Sequence, residues 1–149
     1  MGRGECVKIC TFFGHRDCSE CVKEALISTV ENLIIQGTTR FYVGNHGNFD
    51  KYVIDVLRQL KMKYPYIFYQ IVLAYMPTDR QSGRYDANET LLPEGIEVVP
   101  KRFAISYRNR WMLRKADIVV AYVKHRMGSS ATYLQEACKA KKTVINIAK

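Results

Sequence analysis

Residues 108–136 read as a helix, a buried strand, a loop of small residues and a second helix, and no other stretch narrows the fold as far. Residues 108–116 are helical in composition and basic on one side. Ile118, Val119, Val120 and Ala121 lie in an unbroken apolar run of strand length, and Gly128, Ser129 and Ser130 precede an amphipathic segment over 133–138. A buried strand that empties into Gly-Ser-Ser and a helix start is how α/β proteins build an anion site. The first N–H groups of a helix have no partner within it, and the helix dipole adds positive potential there. The stretch predicts a cradle for a phosphate or a ribose-phosphate.

The same alternation runs through the rest of the chain. Val7, Ile9, Phe12 and Phe13 mark a first strand, and Asp17 with Glu20 three residues on has the form of a capping box. Val22, Ala25, Leu26, Val30 and Leu33 then supply a helical apolar face that Gly37 ends. Arg40, Phe41, Tyr42 and Val43 give a second strand. Val53, Val56, Leu57, Leu60 and Tyr64 fall at helical spacing before Pro65 closes the segment. Residues 67–75 are apolar enough for a strand buried on both faces. Val98, Val99 and Pro100 suggest a short extra strand, and residues 143–147 a fifth core strand.

Strands alternating with helices predict a single α/β domain over residues 1–149, Rossmann-like, with three α/β/α layers and a mainly parallel five-stranded sheet. Right-handed crossovers gather every strand-to-helix loop on one edge of such a sheet. Residues 76–96 lack any pattern and predict a long, functional or mobile loop, with Arg84 and Tyr85 able to close over a ligand.

Three loops converge on that edge: Gly14-His15-Arg16, Gly44-Asn45-His46-Gly47 and Gly128-Ser129-Ser130. Helix starts at Asp17, Asn48 and Ala131 add their dipoles. In this reading Gly128, Ser129, Ser130 and Thr132 hold phosphate, Arg16 and Arg108 neutralise it, Gly44, Asn45 and Gly47 face a sugar, and Gly14 and His15 complete the site. His15, His46 and His125 all lie on these loops, but without the paired spacing of a metal-binding helix they read as hydrogen-bonding groups, so no metal and no cofactor is called for. Asp50 and Glu136 are the carboxylates nearest the edge.

The chain of 149 residues carries a formal charge of +9, and residues 101–149 hold 12 of its 23 Lys and Arg against only Asp117 and Glu136. That field favours an anionic partner, from a nucleotide to a nucleic acid. With 48% hydrophobic residues the chain has the means for a real core. No window approaches the ~20 apolar residues that cross a bilayer, and the N-terminus lacks the apolar segment of a secretory signal, so a cytoplasmic location without a membrane is expected. Five cysteines, an odd number, fit reduced thiols rather than a disulfide framework. Cys18 and Cys21 form a Cys-x-x-Cys, but Asp17 and Glu20 beside them oppose a thiolate. The pair reads as reduced, with one thiol toward the core. Cys10 and Cys138 read as small apolar residues on core-facing elements.

Phe13-Gly14-His15-Arg16 resembles the Gly-His-Arg that ends the first strand in YpsA-like members of the SLOG superfamily. Arg108, Met112, Ala116 and Asp117 resemble the Arg-x-x-x-Met-x-x-x-Ala-Asp of LOG enzymes in the same superfamily, and Gly128-Ser129-Ser130-Ala131-Thr132 stands where those have Pro-Gly-Gly-x-Gly-Thr. The superfamily also holds the Smf/DprA proteins. The resemblance implies a Rossmann-like fold and a nucleotide-derived ligand at the strand edge. LOG members hydrolyse the N-glycosidic bond of nucleoside monophosphates with an Arg and a Glu, the DprA group binds single-stranded DNA, and LOG relatives dimerise, which makes a homo-oligomer plausible here. This chain departs at the decisive position: Gln135 falls where LOG enzymes carry the catalytic Glu, and an amide is neither a base nor a counter-charge for an oxocarbenium-like state. Binding or sensing of a nucleotide is therefore the first expectation. N-glycoside hydrolysis or deoxyribosyl transfer is the alternative, with Glu136, Asp50 and Arg108 as its catalytic residues. Single-stranded nucleic-acid binding through the basic half, with Tyr107 and Trp111 available for stacking, comes after that.

Overall fold

The strands form because neighbouring apolar residues must face opposite ways. In the computed structural model, which describes residues 7–76 and 85–148, Phe12, Phe41 and Val120 pack on one face of the sheet. Their neighbours Phe13, Tyr42 and Val119 pack on the other. This two-residue alternation explains why the strands read as unbroken apolar runs: both faces are covered. The strands are β1 (Lys8–Gly14), β2 (Thr38–Val43), β3 (Phe68–Val72), β4 (Thr90–Leu91), β5 (Ile118–Tyr122) and β6 (Thr143–Asn146). All pair in parallel, in the order β4-β3-β2-β1-β5-β6.

The helices α1 (Val22–Ile35) and α2 (Gly47–Lys63) cover the first face, through Leu26, Val30, Val53 and Leu57 among others. The helices α3 (Ala104–Lys115) and α4 (Ser129–Lys139) cover the second, through Met112, Leu113, Tyr133 and Ala137. The result is the expected three-layer α/β/α architecture. The chain steps outward from β1 through β2 and β3 to β4, then returns to the other side of β1 for β5 and β6. The strand order therefore reverses between β1 and β5, and the loops that leave those strands part there to open a crevice.

The sheet has six strands rather than five. The added one is β4, inside the stretch that sequence alone leaves as a loop. A one-turn helix at Ala87–Glu89 precedes it, with Asp86 and Glu89 closing a capping box. Arg58 of α2 donates two hydrogen bonds of 2.9 Å to the Glu89 carboxylate, and the Tyr69 hydroxyl donates a third. A three-way anchor on α2 and β3 thus holds a two-residue strand. The strand suggested around Val99 is absent. Ile96–Val98 and Lys101–Phe103 are single helical turns, and Pro100 between them has no N–H for a ladder.

The capping box expected at Asp17 does not open α1. The helix starts later, at Val22, with no side-chain cap, because buried Cys18 first turns the chain into the core and two short turns at Ser19 and Glu20 lead in. Ala25 is exposed, and Ile34, on the other flank of the stripe, is buried. Cys18 is buried and Cys21 exposed, as the sequence suggested. Cys138 faces solvent, contrary to expectation, while Cys6 lies outside the described residues. Among the described residues, no helix is long and apolar enough to cross a membrane.

Candidate functional site at the switch point

The crevice between the ends of β1 and β5 holds a cavity of about 140 Å³. Gly14 and Arg16 line it from the β1–α1 loop, His46 and Asp50 from the start of α2, Ser106, Arg108 and Asn109 from α3, and Ser129, Ser130 and Tyr133 from α4. Four separate loops and helices meet here only because the parallel topology brings their ends to one edge.

Arg108 is the centre of the site. It is 1% exposed, so a full positive charge is buried. Its Nε donates to Asn109 Oδ1 at 2.7 Å, and its Nη1 donates to Val72 O at 2.8 Å and to Asn45 Oδ1 at 3.1 Å. Its Nη2 stands 3.0 Å from His46 Nδ1. These acceptors are all neutral. Among the described residues no carboxylate forms an ion pair with Arg108. Burial accordingly holds its pKa below the ordinary arginine value. A guanidinium is stable in such a place only when hydrogen bonds replace its water, and this one is fixed by four residues at once.

Asp50 is the acid of the site. Its Oδ2 accepts the His46 backbone N–H at 3.0 Å, and burial pushes its pKa up to about 6, against the opposing pull of Arg108, that hydrogen bond and Arg16. His46 moves the other way, to about 4, through burial and the nearby Arg108 and Arg16 cations. Gly44 lies between acid and cation: a Cβ there would stand 2.9 Å from Asp50 Oδ2 and 3.0 Å from Arg108 Nη1. Only glycine lets both groups close on the strand end.

The start of α4 closes the cavity. Gly128, at φ +107°, turns the chain in a left-handed conformation that glycine adopts without strain. Ser130 Oγ donates to Gly14 O at 2.8 Å, which ties the helix start to the end of β1. Ser129 and Ser130, which open α4, line the cavity, and the first N–H groups of a helix have no partner within it.

Of the residues singled out in sequence, Gly14, Arg16, Arg108, Ser129, Ser130 and Asp50 line this cavity together with His46. Asn45 and Gly47 line a second cavity beside α2, shared with Asn48, Lys51, Arg58 and Tyr85; Arg84 lies outside the described residues. Thr132 turns back on its own helix, donating to Gly128 O at 3.1 Å. His15 accepts the Lys124 N–H at 2.8 Å and meets His125 with ring centroids 5.1 Å apart, while His46 belongs to Arg108. Among the described residues no group of three or more His, Cys, Asp or Glu side chains is placed to hold a metal ion. Glu136 pairs with Arg110 at 2.9 Å and is not part of the cavity wall. Trp111 packs on Tyr42 with Lys115 over its ring, and the Tyr107 hydroxyl donates to Glu94 O.

Sequence reasoning missed Ser106, Asn109 and Tyr133. The signal was available for the first two: Ile105, Arg108, Asn109 and Met112 follow i, i+3, i+4, i+7 spacing, with Ser106 beside them, so they share the helix face that carries Arg108.

Neither a protein-family model nor a curated protein sequence matches the chain. Among solved structures, the chain superposes on that of DNA processing protein A (DprA) from Streptococcus pneumoniae with a TM-score of 0.69, at 17% sequence identity and over 93% of its own length. At that identity the likeness is one of fold. The match covers 49% of the DprA chain, so this chain spans about half the length of that protein. The strand order places the β1–β5 switch point, and hence the Arg108 cavity, on the loop edge of the parallel sheet.

Proposed function

We propose that the switch-point crevice binds a nucleotide-derived, ribose-phosphate ligand. One observation carries the reading: a fully buried arginine lines a polar cavity and is held by neutral acceptors alone. An entering phosphate supplies the hydrogen-bonded countercharge that no carboxylate gives Arg108 directly, and Arg16 adds a second cation from the cavity wall. The N–H groups at Ser129 and Ser130 suit phosphate oxygens through dipole and hydrogen bonds together. Gly44 and Asn45 stand beside the guanidinium and hold it in place for the ligand.

Isothermal titration with nucleoside monophosphates, diphosphates and ADP-ribose tests the proposal. Binding that is lost in Arg108→Met supports it, whereas no heat from any nucleotide at millimolar concentration defeats it.

The Asp50 carboxyl gives specific support to an enzymatic version of the same site. A carboxyl poised at about 6 is suited to hand over a proton near neutral pH, while Glu136 is occupied by Arg110. Release of free base from nucleoside monophosphates, abolished in Asp50→Asn, is the outcome that makes this an N-glycoside hydrolase. Absence of turnover leaves binding as the activity.

A further inference from the structure

The crevice has two chemically different ends. At the α4 end stands the backbone of Ser129 and Ser130; at the α2 end stands a carboxylate, Asp50, with Arg16 packed against Gly47 beside it. Building on the ribose-phosphate reading above, we infer that Asp50 is the specificity-determining residue of this site and accepts a hydrogen bond from a ribose hydroxyl. Ligands carrying that hydroxyl are thereby selected over their deoxy counterparts.

Three observations converge. Asp50 Oδ2 is committed to the His46 N–H, whereas Oδ1 has no hydrogen-bond partner among the described residues. It belongs to a side chain that lines the cavity, so one acceptor is left for whatever enters. The charges facing this carboxyl are also known: Arg108 from α3, Arg16 from the β1–α1 loop, neutral His46 from its own loop and the Cys18 thiol before α1. With its pKa raised to about 6, Asp50 is ionised above neutral pH and accepts only. An ionised carboxylate offers a hydroxyl an acceptor and a phosphate none, whereas the N–H groups that open α4 suit phosphate oxygens, so the hydroxyl is directed to this end and the phosphate to the other.

Size supports the same assignment. A cavity of about 140 Å³ is comparable with the ~150 Å³ engineered void that takes one benzene ring, so it encloses one ring of a nucleotide and leaves the other outside it. Its polar lining of Asp50, Arg108, Ser106 and Asn109 suits a polyhydroxylated ring better than a base. A site built to bond a hydroxyl rejects the analogue that lacks it, because that analogue covers the acceptor and leaves it unpaired.

Calorimetry with ribose 5-phosphate and its 2-deoxy and 3-deoxy forms, at pH 8, reads this directly. The wild-type chain should bind at least one deoxy form about tenfold or more weakly, the scale of a hydrogen bond to a charged acceptor. Asp50→Ala should bring all three within about threefold of one another on the same scale. Equal binding of all three by the wild type overturns the inference and leaves the ribose-phosphate site standing. Undiminished discrimination in a folded Asp50→Ala or Asp50→Asn chain assigns the hydroxyl to another group and overturns it as well. Binding of none of the three also overturns it, and the nucleotide panel then decides separately on the reading beneath it.

Discussion

Arg108 Nη2 and His46 Nδ1 stand 3.0 Å apart, and that contact fixes the protonation state of the histidine. A guanidinium has no acceptor, so Nδ1 must offer a lone pair and His46 must be neutral. Four residues on, Asp50 takes the backbone N–H of the same histidine. One short turn therefore carries a base held down at about 4 and an acid held up at about 6.

These two shifts act on stability in opposite senses. Folded Asp50 keeps its proton to about pH 6, whereas its ordinary value is 3.8. Its contribution is therefore complete below that ordinary value and is lost as pH rises through about 6. His46, ordinarily 6.5, binds its proton in the folded chain only near 4, so its contribution is complete above 6.5 and is lost as pH falls toward 4. Across the shared window the slopes oppose, each at most about 1.4 kcal/mol per pH unit. Urea unfolding between pH 4 and 6.5 should change little in the wild type, show stability rising with pH in Asp50→Asn, and show it falling with pH in His46→Gln. Identical pH profiles for all three chains would refute the coupling.

Arg108 should be costly to remove even without a ligand. Arg108→Ala strips the donors from Val72 O and Asn45 Oδ1 and opens a cavity beneath α3, at about 3–5 kcal/mol by chemical denaturation. Arg108→Lys keeps the charge but not the fork, so one ammonium must replace bonds to Asn109, Asn45, Val72 and His46. That variant should lose about 1–3 kcal/mol. A Lys variant as stable as wild type would mean that charge alone, not bond geometry, holds the residue.

The sequence carried the layers of this fold better than its edges. Runs such as Ile118 to Ala121 and the helical spacing of Val53, Val56, Leu57 and Leu60 are local patterns, and local patterns report local structure. Thr90 and Leu91 make a strand too short to show any period, held by Arg58 from 31 residues away, so β4 was not readable. The Asp17 and Glu20 pair has the same form as Asp86 and Glu89, yet only the second pair closes a capping box. Burial of Cys18 decides the first against its local preference, and no local motif records that. At the site, Arg108, Asp50 and Ser130 were readable as loop-edge residues. That Arg108 would be buried on His46 and Asn45 was not, because those contacts join residues more than 60 positions apart.

Glu89 offers a test of how the sixth strand is held. Its carboxylate takes the Arg58 fork and the Tyr69 hydroxyl, and these bonds, the Arg58 bond foremost, lower its pKa from 4.5 to about 2. The contribution is therefore complete above the ordinary value and is lost as pH falls toward about 2. Glu89→Gln should cost about 1–3 kcal/mol at pH 7, and the difference from wild type should shrink as the pH falls below 4.5. Hydrogen exchange at Leu73, whose N–H donates to Leu91 O, should quicken in the variant. Unchanged exchange at Leu73 would show that β4 does not depend on this anchor.

The cysteines should react in an order set by burial. Cys21 and Cys138 are exposed, whereas Cys10 and Cys18 are buried. Burial, reinforced by the neighbouring Asp17 carboxylate, pushes the Cys18 thiol up to about 11, and burial raises Cys10 as well. Both are then protonated at pH 8, and it is the thiolate that attacks an alkylating agent. Iodoacetamide at that pH should modify Cys21 and Cys138 in the native chain and reach Cys10 and Cys18 only as urea unfolds it, with mass spectrometry of Cys6→Ser protein giving the order. Asp17→Asn removes one charge that opposes the Cys18 thiolate but leaves it buried, so native labelling there should remain slow. Rapid native modification of Cys18 in either chain would instead assign it a reactive role that its burial argues against.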